Sequence, residues 1–205
     1  MQREDATSAL RPASSILLGP ETPIVGAPGL TIGAFWAWAY SDVLSNRNRA
    51  ILAEFLVGAA LGTLTGPRVE WDAVDHRYRD HGIEVKASGF LQAWVQRVHS
   101  TVRFAVAAKR PDNGLSREPA APSRVADYFV FCLFTPLEVA RAEVLDLGNW
   151  DFFVVPTSDL PVQGSIGLAQ LRSLATPVLH GELRARLDAL IDQPADLGRS
   201  SEGRS

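Results

Sequence analysis

Glu84 and Lys86 stand in HGIEVKAS (81–88), and Asp72 and Asp75 precede them in EWDAVD (70–75). Of the chain's 20 lysines and arginines, Lys86 and Lys109 alone are lysine. A surface needing a generic cation could take arginine, whereas a position needing a compact amine that exchanges a proton could not. Side chains alternate along a strand, so Glu84 and Lys86 share one face while Ile83, Val85 and Ala87 turn towards a core. The two aspartates lie just before a turn, within reach of the Glu84 face. Their opposite parity means that a regular strand aims one inward, and a twist or bulge leaves the choice between them open.

An acid on one strand, with an acid and a lysine on the next, is the equipment of a metal-dependent phosphodiesterase. Two carboxylates hold a hard cation such as Mg²⁺, which takes oxygen ligands and keeps waters for a substrate phosphate. The metal polarises the phosphate and acidifies a bound water. A neighbouring ammonium orients that water or stabilises charge developing on the phosphorane. Glu54 joins from upstream, with Ala50, Ile51, Val57 and Gly58 as its helical neighbours. A carboxylate among such residues is costly to bury unless it is paired, metal-bound or open to a cleft. The plain alternative is a glutamate at the edge of an apolar stripe, reaching solvent.

These residues need elements to hold them. GAFWAWAYSDVLS (33–45) mixes two periods and favours a helix. NRNRAILAEFLVGAALG (46–62) is clearer: Ile51, Phe55 and Ala59 form one row, Leu52, Leu56 and Ala60 the next, and Gly62 ends it. Segments 68–79 and 82–88 then alternate as strands around Asp80-His81-Gly82, a hairpin turn. A short helix is expected over 89–99 and a strand over 101–108. Residues 109–123 are a loop by composition. ADYFVFCLF (126–134) is apolar enough for a buried central strand, and WDFFVVP (150–156) is another. Helices follow near 168–175 and over 181–192. The order predicts a mixed α/β sandwich around one sheet. Residues 1–28 read as a flexible N-terminal arm, 29–192 as one domain, and 193–205 as a flexible C-terminal tail.

At 205 residues the chain can bury a sizeable core unaided. Cys132 is the single cysteine, in an apolar run where it reads as a small buried hydrophobe. One cysteine and no secretion signal point to the cytoplasm. The longest apolar stretch is too short to span a bilayer, so no membrane association is expected. A formal charge of −3 gives no global attraction to nucleic acid, so such binding needs a local basic patch. Arg47, Arg49, Arg97, Arg103, Lys109 and Arg110 are candidates for one, against the plain view that they are a solvated surface. His76, His81, His99 and His180 lack metal-ligand spacing. Trp94 and Trp150 read as core or edge packing residues rather than base-stacking platforms.

The motifs resemble the PD-(D/E)XK nuclease superfamily, and more closely a group of bacterial restriction-endonuclease-like proteins. The matching pieces are EWDAVD, GIEVKAS, LQAW (91–94), ADYFVFCLF and WDFFVVPTSDL (150–160), spanning roughly residues 31–175. The proline that conventionally precedes the first aspartate is absent, since Val74 precedes Asp75. The resemblance implies a restriction-endonuclease-like mixed sheet flanked by helices in a single domain. It implies a Mg²⁺-dependent endonuclease, with Mn²⁺ able to substitute, acting on DNA in restriction or defence. Asp75 (with Asp72 as competitor) and Glu84 would be metal ligands, Lys86 the water-orienting group, and Glu54 a further ligand or outer acid. Gln92, the polar residue after the lysine, would lie near the metal or phosphate, and Ser88 could contact a phosphate. RNA is a substrate these residues do not distinguish from DNA, and a non-catalytic binding module on the same fold is the alternative. One site per chain would make a double-strand cutter a homodimer or a partner's subunit.

Overall fold

The computed structural model describes residues 16–70, 72–108 and 124–193. Residues 1–15 of the expected arm, the loop 109–123 with Lys109 and Arg110, and tail residues 194–205 lie outside the described residues. Helix α1 (Ile32–Tyr40) starts where Thr31 Oγ1 accepts from the Ala34 N–H at 3.2 Å. Helix α2 (Asn46–Leu61) is capped by Ser45 and ends at Gly62, whose φ of 74° is the left-handed conformation that glycine adopts at least cost.

Four strands form the main sheet: β1 (His76–Tyr78), β2 (His81–Gly89), β4 (Tyr128–Phe134) and β5 (Trp150–Pro156), in the order β1-β2-β4-β5. The pairs β1/β2 and β4/β5 are antiparallel, while β2 and β4 run parallel, so the sheet is mixed. Two short strands, β3 (Arg103–Ala105) and β6 (Ser165–Gly167), make a separate antiparallel ribbon. Helices α3 (Leu168–Leu174) and α4 (Leu183–Ile191) complete the chain.

The sheet buries both faces. On one, Ile83, Val85, Val130 and Phe152 pack against Ala53, Val57 and Leu61 of α2 and against Leu183 and Leu187 of α4. On the other, Phe129, Phe131, Phe153 and Val155 meet Phe104, Ile166 and Leu171 from the ribbon and α3. Residues 129–134 of β4 are all buried, which explains why that strand shows no polar alternation. Cys132 is fully buried, and burial pushes its thiol pKa up, so it is a packing residue. The architecture is α/β with a four-stranded mixed sheet and flanking helices, in one domain.

Three local expectations are corrected. The hairpin turn is Arg79-Asp80, because Tyr78 pairs with His81 and Gly82 already lies within β2. Both turn residues have positive φ, 47° and 67°, which costs about 1–2 kcal/mol per non-glycine residue. The Arg79 guanidinium contacts Asp188 (2.9 Å) and Asp192 (2.6 Å), on and after α4, and so ties the turn to that helix. Gly82 is needed for close approach instead: a Cβ there would sit 3.0 Å from Val74 Cγ1. Second, the first arm of the hairpin is three residues long rather than twelve, since Val74 turns into the core and Asp75 leaves the ladder. Third, 89–99 forms no helix. The Gln96 side chain accepts from the Gln92 N–H (2.7 Å) and donates to the Phe90 carbonyl (3.1 Å), and so replaces the backbone bonds of a turn of helix.

Candidate active site

The site lies where β1 stops short of the end of β2. Ile83 is the last β2 residue paired with β1, and beyond it the edge of β2 would expose an unpaired backbone N–H at Val85. Asp75 takes that bond: its Oδ2 accepts from Val85 N at 2.6 Å, while its own N–H donates to the Ile83 carbonyl at 3.1 Å. A carboxylate therefore replaces a strand carbonyl, and this pins Asp75 beside Glu84. Asp72 is exposed, with Oδ1 on the neighbouring Ala73 N–H at 2.7 Å. Of the two aspartates, Asp75 is the one brought to the Glu84–Lys86 strand.

Glu84 and Lys86 do project from one face of β2, the face shared with Phe129 and Phe131 of β4. Glu84 is 5% exposed, and Lys86 Nζ lies 2.5 Å from its Oε1. Burial raises the Asp75 carboxyl above its ordinary pKa. The Val85 N–H opposes that shift, the Glu84 and Glu54 charges add to it, and Lys86 works against it. Two carboxylates, one on β2 and one just before β1, thus repel each other across a partly desolvated space, beside one ammonium. Such strain between acids is what a bound cation would relieve.

Glu54 belongs to the same electrostatic group but faces another partner. Its carboxylate is forked by Arg68, whose Nε also contacts Oε2 and whose Nη2 lies 2.9 Å from Oε1. The backbone carbonyl of Glu54 accepts from His76 Nε2 at 2.8 Å, while His76 Nδ1 meets Thr63 Oγ1 at 3.1 Å. His76, next to Asp75, therefore uses both ring nitrogens to tie the start of β1 to α2 and Thr63. Arg68 also feels the charges of Asp75 and Glu70. The sequence offered no signal for Arg68, because its partner lies fourteen residues away across an irregular loop. Among the described residues, no three His, Cys, Asp or Glu side chains converge as a ready metal cage. Asp75 and Glu84 present the oxygen chemistry of a Mg²⁺ site, which needs one or two carboxylates and keeps several waters.

Gln92 is committed elsewhere. Its Oε1 accepts from Arg49 Nη2 (3.3 Å) and its amide donates to the Gly89 carbonyl (3.1 Å). Arg49 is corrected too: at 2% exposure it cannot line a nucleic-acid path. Its Nη1 donates to the carbonyls of Leu91 (2.9 Å) and Leu44 (3.3 Å), tying α2 to the segment after β2. Arg47, Arg97 and Arg103 are exposed. Trp150 is buried as expected, but Trp94 is 58% exposed and packs no core. Ser88 is half-buried near the end of β2.

Comparison with protein-family models, curated proteins and solved structures finds no match to this chain. None of the described helices is long and apolar enough to cross a membrane. Fold and site together define an α/β domain with an acid–acid–lysine cluster at an open strand edge.

Proposed function

We propose that the protein is a Mg²⁺-dependent nuclease hydrolysing phosphodiester bonds in DNA, with a restriction-endonuclease-like fold. The observation that carries this is the placement of Asp75 and Glu84 against each other, with Lys86 alongside, where β2 loses its partner strand. Asp75 and Glu84 would hold the metal, and Glu54 would support them once its carboxylate leaves Arg68. A bound divalent cation would supply Lewis-acid polarisation of the phosphate and a more acidic water. Lys86, drawn to Glu84 in the free protein, would turn its ammonium to the attacking water and the phosphate oxygens, where negative charge builds. Arg68, at the mouth of the cluster, offers a planar fork suited to a phosphate. Asp75 keeps one oxygen on the Val85 N–H, which fixes the position of the other. Restriction or defence is the role that the sequence resemblance implies; the geometry serves DNA and RNA equally.

The test is cleavage of supercoiled DNA, linear DNA and RNA by purified protein in Mg²⁺, Mn²⁺ and EDTA, beside Lys86→Ala and Glu84→Gln. Metal-dependent cutting that disappears in both variants is expected. A folded protein that neither cuts nor binds Mg²⁺ or Mn²⁺ by calorimetry would overturn the proposal in favour of a binding module.

A further inference from the structure

Helix α1 carries Phe35, Trp36, Trp38 and Tyr40 within nine residues, yet none of its residues is buried. Aromatic side chains ordinarily contribute 150–250 Å² each to a core. Here Trp36 and Tyr40 instead line a cleft of about 490 Å³, together with Arg47, Glu54, Arg68 and Glu70. That volume lies in the usual range for ligand sites, about 300–1,000 Å³. Tyr40 is braced from behind by Phe35, ring centroids 6.3 Å apart and nearly perpendicular.

The chemistry of the lining narrows the occupant. The lining carries two arginines and two glutamates, with Arg68 already paired to Glu54, so the cleft favours neither a free anion nor a cation. It offers aromatic surface together with donors and acceptors, the complement of a neutral planar ring with a hydrogen-bonding edge. Its position narrows the occupant further. Glu54 and Arg68 both line the cleft and pair with each other, and the Glu54 carbonyl accepts from His76 Nε2 at 2.8 Å, one residue from Asp75. We propose that this cleft is a nucleobase subsite, taking an unpaired base from the nucleotide next to the phosphate presented to Glu84 and Lys86. A base inside a duplex is stacked and paired and cannot enter a concave site without being extruded. The substrate class is therefore a nucleic acid with an unpaired or flipped nucleotide at the cut. This rests on the nuclease proposal for the identity of the neighbouring site.

The test uses fluorescence anisotropy of labelled oligonucleotides of one sequence, single-stranded and duplex, in EDTA so that nothing is cut. Trp36→Ala and Tyr40→Ala are compared with Trp38→Ala, a control that is 84% exposed and outside the cleft. Loss of a stacked base costs about 1–3 kcal/mol, so each cleft variant should weaken single-strand binding by about 5- to 150-fold. Duplex binding and Trp38→Ala should stay within about two-fold of the parent, at the level of ordinary surface substitutions. The inference is overturned if single strands do not bind, if Trp38→Ala matches Trp36→Ala, or if both nucleic acids weaken equally. It is equally overturned if Trp36→Ala leaves binding intact and instead dissociates an oligomer in sedimentation. Trp36-dependent binding by a protein that never cuts would sink the nuclease proposal alone. A cutting enzyme whose single-strand binding ignores Trp36 would sink the subsite alone.

Discussion

Replacing Lys86 with methionine tests whether the acid cluster is built as the geometry says. Methionine roughly keeps the length of the side chain and removes the charge. Glu84, with its side chain 7% exposed, would then lose the charge of its ammonium partner while lying close to Asp75. Removing one partner of a buried pair costs about 3–5 kcal/mol. The Lys86 side chain is itself 23% exposed, so water can reach part of the vacated space. The expected loss is therefore at the lower end, about 3 kcal/mol. For a domain of this size that corresponds to a fall in Tm of about 6–12 °C. The double variant Glu84→Gln/Lys86→Met removes both charges and should return to within about 1 kcal/mol of the parent. The double variant should thus be about 2 kcal/mol more stable than Lys86→Met alone. Divalent metal supplies the sharper comparison. At a hundredfold excess over Kd, a ligand that binds only the folded state adds about 2.7 kcal/mol. Mg²⁺ should rescue Lys86→Met more than it stabilises the parent, because the ammonium no longer competes for Glu84. The assay is urea unfolding followed by circular dichroism, with and without Mg²⁺. A loss below about 0.5 kcal/mol for the single variant, the size of an ordinary surface change, would refute the reasoning. So would a double variant no more stable than the single.

Asp75→Asn should abolish cleavage yet leave the protein more stable at neutral pH. The folded Asp75 holds its proton to higher pH than the ordinary value of 3.8, so the parent loses stability as pH rises from there through the raised folded value. Asparagine keeps an oxygen for the Val85 N–H and does not titrate; urea midpoints from pH 3 to 7 check this, and a parent–variant difference independent of pH would contradict it. Gly58→Ala on α2 puts a Cβ 2.5 Å from Leu64 Cδ2 and 2.6 Å from His76 Cε1. Overpacking of about 1–3 kcal/mol, set against about 1 kcal/mol of helix propensity, leaves a net loss of about 0–2 kcal/mol. Cleavage should fall further than stability, because His76 carries the neighbouring Asp75; comparing kcat with Tm checks it.

Local pattern alone determined much of the scaffold. The apolar rows of 46–62 and the glycine at 62 are enough to define α2 and its end, because both depend on neighbours within a turn. The apolar runs that became β4 and β5 are legible for the same reason, as is the shared face of Glu84 and Lys86, which follows from alternation along one strand. What the sequence left open depends on partners far along the chain. The choice of Asp75 over Asp72 turns on the premature end of β1, which leaves the Val85 N–H to be satisfied. Glu54 looked like a ligand or a solvated edge residue and is held by Arg68, a pairing that no periodicity encodes. Arg49 reads as part of a basic patch and Gln92 as a neighbour of the metal or phosphate, yet they bond each other across 43 residues and anchor backbone carbonyls at and after the end of β2. The segment 89–99 has a helical composition, but one glutamine side chain supplies competing bonds. Secondary structure with a strong period is set by short-range sterics and burial, which the sequence displays directly. The partners of buried charges are set by which groups the packed sheet and helices leave unsatisfied, and only the folded chain decides that.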